Sequence, residues 1–184
     1  MKKTLHTSVA LLILLYMVSC SSDIDGIYAR WRAFLRVSPV TAAPQLHTAA
    51  NNPGMFCRVT FTPTHYVFSD ADGKSSTIAR TALESYGGEP EAISGFIIGT
   101  PVIPNQNGNF ELVAYDLACP ACYLPDYITR SLTFTGHTQV SCTRCLRDYN
   151  LNNGGIASNI NPATRLFRYR VSYSPEQNVL VVQN

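Results

Sequence analysis

A chain of 184 residues, 46% of them apolar and 14% charged, is long enough to bury a core of its own. Its 14 Lys+Arg stand against 12 Asp+Glu, and two of the lysines, Lys2 and Lys3, lie at the very start. From residue 20 onward the formal charge is therefore zero, which gives nucleic-acid binding no electrostatic footing. No later apolar run reaches 18 residues, so none is predicted to span a bilayer.

Lys2 and Lys3 open the chain, Val9 to Val18 form an apolar run, and Ser19-Cys20-Ser21-Ser22 closes it with small residues. That is the layout of a secretory signal, with a run too short to cross a bilayer as a stable helix. A cysteine directly after the small residue resembles the bacterial lipoprotein signal, although Met17 and Val18 depart from its usual box. The resemblance implies cleavage before Cys20 and a lipid on Cys20. The chain is then exported and lipid-anchored to the bacterial cell envelope, and meets the membrane only through that lipid. An ordinary cleaved signal is the alternative. Residues 1–19 are thus read as signal, 20–26 as a tether and 27–184 as one domain.

Ile27, Ala29, Trp31, Ala33, Leu35 and Val37 alternate with Tyr28, Arg30, Arg32, Phe34 and Arg36, which predicts a half-buried strand. Ser38 to Gly54, rich in proline and asparagine, reads as a long loop. Phe56 to Phe61 and Tyr66 to Ser69 read as strands, followed by a turn at Asp70-Ala71-Asp72-Gly73. Ser76 to Tyr86 reads as a short helix stopped by Gly87-Gly88. Phe96 to Gly99 and Phe110 to Tyr115 read as strands on either side of the polar turn Asn105 to Asn109. Phe167, Tyr169, Val171 and Tyr173 then alternate with polar residues, Ser174 to Asn178 turns the chain, and Val179 to Val182 returns. Short strands joined by Pro/Gly/Asn turns predict an all-β sandwich or barrel-like domain.

Of the six cysteines, Cys57 sits alone in a strand-like run and reads as a small buried residue. Four others form Cys119-Pro120-Ala121-Cys122 and Cys142-Thr143-Arg144-Cys145, with 19 residues between the pairs. Two intervening residues let a tight turn aim both sulfurs at one point, and two such knuckles build a four-sulfur cage for zinc or iron. In an oxidising compartment the same residues can instead form disulfides between the pairs. A thiol–disulfide enzyme usually places the first cysteine at a helix N-terminus, and Pro125 and the Asn150 to Gly155 stretch argue against a helix after either pair.

Around these pairs, Leu112 to Asp116 leads into Cys119, and Leu132 to Phe134 with Thr138 to Ser141 make a hairpin. Cys142 to Cys145 is followed by Asp148-Tyr149-Asn150-Leu151 and Gly154-Gly155, and Asn161-Pro162-Ala163-Thr164-Arg165-Leu166 enters the closing strands. In that order, from Leu112 to the end, the chain resembles the Rieske-type iron–sulfur domain. The resemblance implies an all-β Rieske-like fold with a two-loop metal-binding subdomain over about residues 117–150. It implies Cys119, Cys122, Cys142 and Cys145 as ligands of a [2Fe-2S] cluster. In the family two ligands are histidines; here Cys122 and Cys145 stand in their places, and the first loop is one residue longer. Four thiolates predict a low-potential cluster without histidine-linked pH dependence. A single zinc ion, or an iron, is the competing occupant favoured by the spacing. His137, outside the motif, reads as a turn residue, and Arg130, Arg144 and Arg147 are positioned by sequence to offset the thiolates' charge.

Two functional expectations follow. One is a lipid-anchored electron carrier with a redox protein as partner. The other is an envelope structural or binding protein whose metal is a clip, with Tyr123, Tyr127, Tyr149 and nearby arginines as a contact face. Neither is an enzyme. No nucleophile elbow, phosphate loop or paired carboxylates appear after the signal.

Overall fold

The computed structural model describes residues 26–80, 88–160 and 164–184. In chain order the strands are β1 (Phe34–Val37), β2 (Met55–Phe61), β3 (His65–Ser69), β4 (Ser75–Ala79), β5 (Phe96–Thr100) and β6 (Val113–Asp116). They continue as β7 (Thr133–Gly136), β8 (Gln139–Ser141), β9 (Asp148–Asn150), β10 (Ile156–Ala157), β11 (Arg168–Ser174) and β12 (Val179–Gln183). Among the described residues two short α-helices accompany them, α1 (Pro44–Asn51) and α2 (Pro120–Asp126). The chain is all-β, as its patterning predicts.

Eight strands form one antiparallel sheet in the order β1-β12-β11-β6-β5-β2-β3-β4. Leu35 and Val37 at one end and Phe68 near the other reach the same core as Ile98 and Ala114 at the centre, so the sheet curls into a half-barrel. Leu46 and Ala49 of α1 plug its open side. Strand alternation sends the intervening residues the other way. Phe56, Ile97, Val113 and Tyr115 leave the back of the sheet to form a second core with Leu132, Val140, Tyr149 and Leu151. Those partners come from a smaller sheet, β10-β9-β8-β7, and its flanks. Strand β5 is buried along its whole length because it serves both cores.

Several expectations need correcting. The alternation from Ile27 has the right phase, but only Phe34–Val37 pairs, with β12. The segment Ser38 to Gly54 is not a loop: it holds a 3-10 turn at Val40–Ala42 and then α1, whose Pro44 occupies a first-turn position that needs no N–H donor. The helix predicted over Ser76 to Tyr86 is instead β4 at its start, paired with β3 along Ser75–Ala79; its residues 81–86 lie outside the described ones. Asp70 does make the predicted turn, its Oδ1 accepting the N–H groups of Asp72 and Lys74.

Candidate metal centre

The first ligand loop leaves the end of β6, where Asp116 fixes it. The fully buried Asp116 carboxylate accepts the Ala118 N–H at 2.7 Å, the Ile93 N–H at 2.9 Å, the Tyr169 hydroxyl at 3.0 Å and the Ser94 N–H at 3.2 Å. Burial pushes this carboxyl above the usual range, and the four donors pull against that rise. The next residues pair with the strand leading into β7: Cys119 N–H donates to Arg130 O, and Leu132 N–H to Leu117 O, each at 2.8 Å. Cys119 then caps α2, its carbonyl accepting the N–H groups of Cys122 and Tyr123 at 3.2 and 3.0 Å. A helix therefore begins inside the first pair, with Cys119 as its cap and Cys122 within it, contrary to expectation, because Pro120 suits its first turn. Pro125 sits in its last turn, and Tyr127 ends it in the left-handed region at φ 54°.

The second loop follows β8. Cys142 O accepts the Leu146 N–H at 2.9 Å, Cys142 N–H donates to Arg147 O at 3.0 Å, and Leu146 takes a left-handed φ of 56° to close the turn. Asn159 supports the loop from outside, its amide donating to Leu146 O at 2.8 Å and Asp148 Oδ2 at 3.1 Å.

Both knuckles deliver their sulfurs to one point in the second core. The four Sγ atoms of Cys119, Cys122, Cys142 and Cys145 all lie within 4.8 Å of one another. The closest contacts run between knuckles, Cys119 to Cys145 at 3.5 Å and Cys122 to Cys142 at 3.8 Å. Cys119, Cys122 and Cys142 are buried and Cys145 is half-buried, and none is in a disulfide. This set can bind a metal ion. Cys57 lies buried in the first core, away from it.

The thiols are not equivalent. Burial pushes Cys119 up to about 11, against the opposing pull of the Tyr149 hydroxyl. Burial and the neighbouring Cys119 push Cys122 up to about 12. Cys145 is also opposed by burial, but hydrogen bonds from the Arg147 backbone, from Cys119 and Cys142, and from the Arg147 side chain bring it down to about 7. Bound metal displaces all such thiol protons, and the pH at which it binds depends on them.

Sequence reasoning placed the four cysteines together but missed what surrounds them. Tyr149, expected on a contact face, is fully buried, with its hydroxyl 3.4 Å from Cys119 Sγ and 3.3 Å from Thr164 Oγ1. Its place between polar Asp148 and Asn150 on β9 was the available sign that it points inward. Of the arginines, Arg147 acts on Cys145, whereas Arg130 and Arg144 are exposed. His137 sits in the turn between β7 and β8, its Nε2 3.4 Å from Asp72 Oδ1. Set against known protein families, characterised proteins and solved structures, the chain matches none, and no relative or fold match stands behind the Rieske-like pattern of its cysteine region.

Proposed function

We propose that the chain is an exported, lipid-anchored protein of the bacterial cell envelope in which Cys119, Cys122, Cys142 and Cys145 hold one zinc ion. The ion clips two loops of a β-domain together. The observation that carries this reading is the mutual closeness of the four sulfurs, all within 4.8 Å. Zinc–sulfur bonds of about 2.3 Å make each edge of a regular sulfur tetrahedron about 3.8 Å. The closest contacts of 3.5 and 3.8 Å fit that edge. A two-iron cluster binds two thiolates on each iron, so its core holds the two sulfur pairs further apart than one tetrahedron does. Four thiolates also fill the coordination sphere, leaving no open position for a substrate. The lipid rests on the signal pattern that ends at Cys20.

The second reading is a Rieske-like electron carrier with a four-cysteine [2Fe-2S] cluster. What favours it is the order β6, first loop, β7–β8 hairpin, second loop, β9, then closing strands β11 and β12. Elemental mass spectrometry and an absorption spectrum on protein purified without oxygen decide between the two. The zinc reading expects a colourless protein with about one zinc per chain. About two iron and two sulfide with visible absorption would transfer the site to electron transport. Sulfurs joined covalently to one another, with no metal, would remove both.

A further inference from the structure

The first described residues run beside the first ligand loop. Gly26, Ile27 and Trp31 line an open cavity of about 450 Å³ together with Leu124 of α2, Arg165 and Phe167. Trp31 is the centre of an aromatic cluster, its ring edge-on to Tyr123 at 5.1 Å, Phe167 at 6.1 Å and Tyr127 at 6.2 Å. The cluster is not sealed: Ile27 is 45% exposed, Leu124 55% and Tyr127 67%. Arg30 and Arg165 stand exposed at its margin, with Asp126 at the end of α2 as an acidic neighbour. Tryptophan and tyrosine with an apolar body and a polar tip suit the boundary between lipid headgroups and acyl chains.

The tether says which face the bilayer meets. Six residue steps from Cys20 to Gly26 reach at most about 20 Å. A domain of this size has a radius of gyration of about 15 Å, so the tether is shorter than the domain is wide. A lipid on Cys20 therefore holds the Gly26 face, and the aromatic cluster on it, against the bilayer.

We propose that Trp31, Tyr123, Leu124 and Tyr127 form a membrane-docking surface that seats in the headgroup layer of the bilayer to which the chain is anchored. This rests on the lipidation of Cys20 in the reading above. Asp23 and Asp25 in the tether and Asp126 on the helix oppose the arginines, so the seat is apolar in character and depends little on anionic lipid. Because Cys119 caps α2, the first cysteine loop fixes the angle at which Tyr123, Leu124 and the C-capping Tyr127 meet the membrane.

Trp31 is the only tryptophan, which makes its emission a specific reporter. The lipidated chain is reconstituted into phosphatidylcholine liposomes with and without lipids brominated along their acyl chains, and the mass of the N-terminal peptide reads the lipid separately. Bromolipid is expected to quench Trp31. The double variant Leu124→Ser, Tyr127→Asn is expected to lose most of that quenching with metal content and lipid unchanged, asparagine being tolerated at the left-handed position of Tyr127. Ile103→Ser, at an exposed apolar residue outside the cluster, is expected to leave the quenching as it is. A chain without lipid on Cys20 overturns the tether premise and the proposal together. A lipidated chain whose Trp31 is not quenched, or is quenched equally in the double variant, overturns the docking surface and leaves the anchor standing.

Discussion

Asp116 ties the first cysteine loop to the rest of the fold. Its donors come from Ile93 and Ser94, from Ala118 and from Tyr169, so one carboxylate joins the entry to β5, the first ligand loop and β11. An amide at this position turns its NH2 toward groups that are themselves donors. Asp116→Asn is therefore expected to cost about 1–3 kcal/mol at neutral pH, read from urea denaturation, and to hasten metal loss to a chelator. Tyr149→Phe removes a single hydroxyl shared by Cys119 and Thr164 and is expected to cost about 1 kcal/mol in the same assay. The cysteines were legible because two residues between partners is a local pattern. Asp116 was not, since in sequence it only ends an apolar strand and its partners lie 22 to 53 positions away apart from Ala118.

Among the elements, the strands were read well wherever one face is buried, because alternation then shows in the sequence: β2, β3, β11 and β12 all lie where the pattern put them. The helices were read badly. In α1 only Leu46 and Ala49 are buried, too few to show a helical stripe among Pro44, Asn51 and Asn52. Edge strand β4 has no fully buried residue, so nothing in its sequence opposed the helical reading. Strand β5 carries a requirement that its apolar run does not reveal. A Cβ at Gly99 would lie 2.3 Å from Met55 O and 2.4 Å from Phe56 Cδ1, so the paired strand β2 leaves no room for one. Gly99→Ala is expected to destabilise by about 1–3 kcal/mol in thermal or urea unfolding. The two knuckles allow a separate check. When chelated protein is oxidised with diamide, the contacts of 3.5 and 3.8 Å predict crosslinks Cys119–Cys145 and Cys122–Cys142, read by peptide mass mapping. Links within each Cys-x-x-Cys would show that the knuckles separate once metal leaves.

The molecule as a whole is built on two cores that share β2, β5 and β6, and the four clustered cysteines belong to only one of them. The half-barrel core contains none of the four clustered cysteines. Chelation is therefore expected to raise amide hydrogen exchange across β7 to β10 while the amides of β2, β5 and β11 stay protected. Equal loss of protection in both sheets would mean that the clip governs the entire fold.

Strand β1 pairs along its length with β12, Phe34 lying opposite Gln183, and Phe34 also exchanges two backbone hydrogen bonds of 2.8 Å with Glu91. The Asn184 amide also reaches back to the carbonyls of Ala29 and Trp31. The Asn184 contacts span 155 and 153 positions, and contacts of that span are slow to form. Until β12 is in place, Leu35 to Val37 have no strand partner among the described residues. Proteolytic trimming of that strand would strip β1 and β11 together, so a nick near the carboxyl end becomes damage to the central curl.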